Sequence, residues 1–177
     1  AGDTVEAQRG FARLATERPD WFEARFNHGL AALANHDFTL ATSELRAALK
    51  LSAWNRDVLV ALTAACGLAK DESCAETAGR EAVSRYPDDA AVRLNWGAWL
   101  EEKGDLQEAM NQYREAVVRD PRCANCWYDL GRLAERLGDG PTAKEAYRQY
   151  VATARPGMST EDVRQRLRDM ESADAPP

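Results

Sequence analysis

Residues 94–121 read LNWGAWLEEKGDLQEAMNQYREAVVRDP, and residues 127–139 read WYDLGRLAERLGD. The segments that contain them, Ala90–Cys123 and Ala124–Gly157, overlay without a gap. Gly97 falls on Gly131, Gly104 on Gly138, Asp105 on Asp139, Ala109 on Ala143 and Tyr113 on Tyr147, each at an offset of 34 residues. A fixed period of this length marks a chain built from stacked copies of one supersecondary unit. The same step carried backwards takes Asp105 to Asp71 and Asp37, and Ala109 to Ala75 and Ala41. It takes Ala116 to Ala82 and Ala48, and Pro121 to Pro87. Four units follow, at 22–55, 56–89, 90–123 and 124–157 of the 177 residues.

Each unit holds two helical patterns divided by a turn signal. In the third, Val92, Trp96, Trp99 and Leu100 recur at helical spacing until Gly104-Asp105 interrupts them. Asp105 is placed to cap a second helix, with Glu108 completing a capping box. Ala109, Tyr113, Ala116 and Val117 then form a second apolar stripe, and Pro121 ends the unit because it cannot continue a helix. Small residues at Gly97 and Ala109 let the paired antiparallel helices approach closely. Sustained period-two alternation is missing, so no sheet is expected.

The period and the pattern W-x-x-L-G-x-x-Y, then A, F/Y, A and P, resemble the tetratricopeptide repeat family. The second unit departs most, with Thr63 for Gly, Lys70 for the turn Gly and Gly79 for the aromatic; the fourth has Tyr150 at a usually small position. The resemblance implies an all-α fold, a right-handed superhelical α-solenoid of antiparallel helix pairs. Residues 1–21 then supply an orphan second helix through Ala7, Phe11 and Leu14, either from a preceding repeat or as an N-terminal cap. Residues 158–177 supply a capping helix, apolar at Val163, Leu167 and Met170 and charged elsewhere, with a frayed tail from Ala173 to Pro177.

In this family the first helices line a concave groove. Carried over by position, the groove residues are Phe26, Asn27, Leu30, Val60, Ala64, Leu94, Asn95, Ala98, Tyr128 and Arg132. Most are apolar. An Asn such as Asn27 or Asn95 offers a donor and an acceptor that match a peptide unit, against a plainer role in local bonding or solvation. The Lys, Asn and Arg set that grips acidic chaperone tails is missing, since the corresponding second positions are Glu23, Asp57, Ala91 and Asn125. The resemblance implies a non-enzymatic scaffold that binds a protein or peptide, of the kind found in pilus, secretion and motility assemblies.

The net charge of −6 argues against nucleic acid or an anionic membrane surface as partner. The longest uncharged stretch, Val58 to Ala69, is too short to cross a bilayer, so no membrane insertion is expected. Any signal peptide is expected to have been removed already, because no basic and then apolar segment opens the chain. His28 stands where Leu is usual, as a satisfied structural residue, and His36 sits in a turn. Glu101 and Glu102 are splayed around a helix and read as a solvated face. No catalytic, metal or cofactor constellation emerges.

Four cysteines remain. Cys66 and Cys74 straddle a turn around Lys70, and Cys123-Ala-Asn-Cys126 opens a helix. The register sets the pairs too far apart for one zinc site. Two structural disulfides, four free thiols, or a redox-active Cys123/Cys126 pair of an oxidoreductase are the readings left. Paired cysteines would point to an oxidising compartment such as a bacterial periplasm, and free ones to the cytoplasm. A further alternative is self-assembly through the array ends, above all through the half-covered N-terminal helix.

Overall fold

The computed structural model describes residues 2–173. Among them the chain is helical, with no strand: α1 (Gly2–Glu17), α2 (Phe22–Ala34), α3 (Phe38–Leu51), α4 (Arg56–Leu68), α5 (Glu72–Arg85), α6 (Ala90–Lys103), α7 (Leu106–Arg119), α8 (Ala124–Arg136), α9 (Gly140–Thr153) and α10 (Glu161–Ala173). The fold class is the all-α solenoid of antiparallel helix pairs. The helices α2, α4, α6 and α8 begin 34 residues apart, and so do α3, α5, α7 and α9. Two compact units divide the chain, Ala1–Pro87 and Asp88–Pro177. In the first, α1 to α5 pack in chain order and α2 also touches α4; in the second, α6 to α10 do the same and α6 touches α8. Ala173 still belongs to α10, and 174–177, where fraying is expected, lie outside the described residues.

The same turn joins every pair. In the third repeat Gly104 takes a left-handed backbone at φ 95°, its N–H donates to Glu101 O (3.1 Å), and Asp105 N–H donates to Leu100 O (2.9 Å). This closure satisfies the last carbonyls of the first helix. Asp105 then caps the second helix, accepting from Glu108 N–H at 3.3 Å. His36, Lys70 and Gly138 occupy the corresponding left-handed site, and Asp37, Asp71 and Asp139 the cap. The capping box forms only by half. The Glu108 carboxylate turns forward to Gln112 (2.7 Å) and Asn111 (3.3 Å), because the Asp105 N–H it would have accepted is already committed to Leu100.

Between paired helices a missing side chain on one admits a ring from the other. A Cβ at Gly97 would lie 2.6 Å from Cε1 of Tyr113, and one at Gly131 2.6 Å from Cδ1 of Tyr147. Gly29 stands in the same relation to Leu45, at 2.8 Å from its Cγ. Both tyrosine rings are fully buried. The second repeat inverts the scheme: bulk sits on the first helix as Thr63, buried, and the second helix carries Gly79, also buried. Thr63 satisfies its hydroxyl on Leu59 O at 2.8 Å.

At the ends, α1 buries Ala15 and half-buries Phe11 and Leu14 against α2, while Val5 is exposed. Asn35 fastens it by donating to Thr4 O and Gln8 Oε1. α10 contributes Val163 to a buried cluster with Ala124, Tyr147 and Tyr150, and Leu167 and Met170 pack against it. Tyr150 is buried at its otherwise small position, and its hydroxyl donates to Ser159 O at 2.8 Å, which ties down the segment that enters α10.

Two glycine substitutions separate these roles. Gly97→Ala should cost about 1–3 kcal/mol, the range for overpacking a filled core. Gly104→Ala, where a Cβ meets nothing within 4 Å, should cost about 1–2 kcal/mol, from the left-handed backbone alone. Chemical denaturation of both variants measures the difference. The costs of Gly97→Ala and Tyr113→Ala should combine to less than their sum, because shortening residue 113 frees the volume a Cβ at 97 needs, whereas those of Gly104→Ala and Tyr113→Ala should simply add.

Candidate functional site

The first-helix residues of each unit supply the candidate face. In the first unit, Phe26 on α2 is half-buried and stacks on Phe22 with ring centroids 5.7 Å apart. Leu30 is exposed, and Val60 and Ala64 on α4 are half-buried. Asn27 is half-buried and has no hydrogen-bond partner among the described residues. In the second unit, Leu94 on α6 is half-buried and Ala98 is exposed. Tyr128 on α8 is exposed, with its ring 5.3 Å from that of Tyr150. The two asparagines differ. Asn95 turns its amide back to donate to Ala91 O at 2.8 Å, so one of its two N–H donors is committed locally while neither of Asn27 is.

Ala98 and Arg132 line one open cavity of the second unit, of 240 Å³, together with Glu101, Tyr113, Asp129 and Arg136. Tyr128 lines another, of 390 Å³, with Asn125, Tyr150, Asp162 and Arg166. Leu94 lines neither.

Glu101 is not part of a solvated face. Its side chain is 8% exposed and accepts from Arg132 through both oxygens (2.7 and 2.6 Å), from Arg136 (2.9 Å) and from the Tyr113 hydroxyl (3.1 Å). Only Glu102 points to solvent. Burial by itself would raise the Glu101 carboxyl; hydrogen bonds and charge from Arg132, with Tyr113 and Arg136, outweigh it and hold the group below the ordinary carboxylate range. Tyr113 is pushed strongly upward by burial and by the neighbouring carboxylates. Asp129 has a poorer share: burial raises it, only Arg132 at 3.4 Å counters this, and Glu101 adds repulsion.

The same constellation recurs one repeat on. Glu135 accepts from the Tyr147 hydroxyl (2.6 Å) and from Arg166 through both oxygens (3.0 and 3.1 Å). Glu101, Tyr113 and Arg132 map onto Glu135, Tyr147 and Arg166 at the repeat offset. That coincidence is the sequence signal that identifies the network. The earlier repeats have Leu33 and Gly67 at the glutamate position and Leu45 and Gly79 at the tyrosine, so neither is able to build it.

A second register comparison exposes an apolar cleft. Arg25 and Glu44 form a bidentate pair (2.9 and 3.1 Å), and Arg93 donates to Gln112 (3.0 Å) at the equivalent place. The second repeat has Leu59 and Ala78 there, and a cavity of 600 Å³ opens among Leu49, Trp54, Leu62 and Ala78. Trp54 is 46% exposed, and the guanidinium of Arg85 lies 3.6 Å from its ring centroid. Nothing in residue type alone marked it.

His28 is buried, as expected of a core histidine, but it is not satisfied. Its Nδ1 lies 3.6 Å from Glu44 Oε1, beyond hydrogen-bond distance, and has no hydrogen-bond partner among the described residues. The cysteines fall into one pair per unit. Cys66 on α4 and Cys74 on α5 lie at bonding distance with Cα atoms 5.7 Å apart, and Cys123 and Cys126 do so with Cα atoms 5.3 Å apart. Among the described residues no group of three or more His, Cys, Asp or Glu is arranged to hold a metal, and no helix is long and apolar enough to cross a membrane.

The tetratricopeptide repeat model matches residues 75–121 and 100–159. A TPR repeat-containing protein of Pseudomonas aeruginosa is 29% identical over 72 residues, 41% of this chain and 69% of that one. Among solved structures, a thermophilic TPR protein of Thermus thermophilus is 16% identical with a TM-score of 0.76, over 97% of this chain and 92% of that one. YrrB, described as a TPR protein with an unusual peptide-binding site, is 18% identical with a TM-score of 0.66, over 93% of this chain and 84% of that one. At such identities the structural likeness is one of fold.

Glu101 and Asp129 should respond to substitution with opposite signs. At pH 7 Glu101→Gln should lose about 1.5–3 kcal/mol, the range for hydrogen bonds to a charged group. Asp129→Asn should leave stability equal or higher, since a carboxylate whose pKa is raised by folding costs free energy when ionised. The Glu101 contribution is complete above its unfolded pKa of about 4.3 and is lost as pH falls through its depressed folded value. The Asp129 penalty is present above its raised folded value and is gone below about pH 3.9. Thermal melts from pH 7 to pH 3 should show both differences from wild type shrinking.

Proposed function

This chain belongs to the tetratricopeptide repeat family, and from that premise we propose that it is a non-enzymatic scaffold holding a peptide or helix of a partner protein against its first-helix faces. The observation that carries the reading is apolar exposure on the first helices of each unit: Leu30 with half-buried Phe26 and Val60 in the first, and Tyr128 with half-buried Leu94 in the second. Phe26, Val60, Leu94 and Tyr128 share one register position and Leu30 lies one helical turn on; apolar side chains left at such positions are what an extended or helical ligand covers. Asn27, whose amide is uncommitted, is suited to a peptide group of the ligand; Asn95 spends one of its two N–H donors on Ala91 and has the other N–H and its oxygen left to offer. The YrrB comparison supports peptide binding as a use of this fold.

Two cysteine pairs at bonding distance favour an oxidising compartment, and a bacterial cell-envelope adaptor in the periplasm is the setting proposed. Peptide mapping after alkylation without reductant, on protein taken from its own compartment, should find Cys66 joined to Cys74 and Cys123 to Cys126. Four alkylated thiols would place the protein in the cytoplasm instead.

The binding face is tested with Leu94→Glu combined with Tyr128→Glu. The wild type and this variant serve as parallel baits in a native envelope fraction, with circular dichroism checking that helicity is equal. A carboxylate forced into an apolar contact is strongly unfavourable, so proteins retained by the wild type should be lost from the variant. Retention of the same set by both would move the site to another surface, with the half-buried Phe11 and Leu14 of α1 next in line as a self-association face.

A further inference from the structure

The two cysteine pairs are not equivalent. Cys66 and Cys74 are both buried and belong to different helices, so their bond ties α4 to α5 across a turn. Cys66 is fully buried, and Cys74, 9% exposed, is met from outside only through the 600 Å³ cavity it lines, where attack would also untie the two helices. Cys123 and Cys126 lie within one turn at the start of α8. Cys126 is fully buried, whereas Cys123 is the N-cap and is partly exposed. Their bond joins no second element, so α8 keeps its packing whether it is closed or open.

The surroundings of Cys123 also favour a thiolate. The Cys126 N–H donates to Cys123 Sγ at 3.2 Å, at the positive end of the α8 dipole. Arg122, next in sequence, is exposed and has no ion-pair partner among the described residues. A thiolate stabilised in this way on the outer sulfur, with its partner shielded, is the arrangement that makes a dithiol exchangeable.

We propose that Cys123–Cys126 is a thiol–disulfide exchange site open to an external dithiol at Cys123, while Cys66–Cys74 is a permanent crosslink. One thiolate of the dithiol attacks Cys123 Sγ, the Cys123–Cys126 bond breaks, and Cys126 leaves with the electron pair and takes a proton. The second thiolate then attacks the external sulfur of this mixed disulfide and releases Cys123 as a thiolate. The protein gains two electrons, and the dithiol departs as a disulfide. Exchange of this kind makes the pair a redox-responsive element at the start of the helix that carries Tyr128, independent of whether that helix binds a peptide.

The experiment uses the air-oxidised full chain, equilibrated with dithiothreitol buffers of graded potential, quenched by alkylation and mapped by mass spectrometry. Cys123 and Cys126 should become labelled together at potentials that leave Cys66 and Cys74 unlabelled. Single variants then locate the point of attack. With an aromatic disulfide reagent, the Cys123 thiol of Cys126→Ser should react at least about tenfold faster than the Cys126 thiol of Cys123→Ser. Labelling of both pairs at one potential, earlier opening of Cys66–Cys74, equal rates in the two variants, or four free thiols in the air-oxidised protein would each overturn the proposal.

Discussion

The contact that organises the second unit is the seat of the Tyr113 ring on the bare backbone of Gly97. With no Cβ in the way, α7 approaches α6 until the ring lies where a side chain would stand. That approach carries the phenolic hydroxyl to Glu101 on the same first helix. Glu101, thus held, gathers Arg132 and Arg136 from α8. An apolar packing event therefore sets the position of a polar one, and the polar one fixes the next first helix. Tyr147, Glu135 and Arg166 repeat the sequence of contacts between α8, α9 and α10. Arg166 makes α10 dock as a further first helix would.

The first unit is assembled with other means. Its aromatic position holds Leu45 and Gly79, and neither offers a hydroxyl to a carboxylate. The first repeat uses the Arg25–Glu44 pair, which spans α2 and α3. The second repeat has the least to work with: a threonine in place of the receiving glycine, a lysine in the left-handed turn, and small residues along α5. There the covalent link between Cys66 and Cys74 sits beside the turn, and a cleft remains at Leu59 and Ala78. A crosslink is most effective where packing is thinnest, because it lowers the entropy of the unfolded chain without requiring bulk in the folded one.

These differences bear on the proposed binding face. Arg132 falls at a position expected to face the groove, yet its guanidinium is held by Glu101 at the rim of that cavity. Tyr128 is the reverse case, a large ring braced by Tyr150 and still exposed. Asn27 keeps its amide uncommitted while Asn95 spends one N–H on Ala91. The same repeat position thus offers different chemistry from copy to copy.

Periodicity alone determined the fold class, the helix starts and the shared Asp-capped turn, since those depend on local rules: a left-handed residue, a carboxylate three residues before an N–H, apolar side chains every third or fourth place. The candidate face is placed by carrying the family's groove positions onto this register, so it rests on the resemblance and not on periodicity. Tertiary structure decided what local rules do not contain. Glu101 reads as a surface charge until Tyr113 and two arginines from another helix surround it. Glu108 leaves its capping box because a carbonyl of the preceding helix has taken the N–H. His28 is buried with its Nδ1 3.6 Å from the Glu44 carboxylate that Arg25 holds, too far for a hydrogen bond. The two cysteine pairs look alike in spacing and differ only once burial is known. In each case the outcome is a competition for one donor, one acceptor or one volume among groups far apart in sequence. Such a competition is settled only when the helices pack.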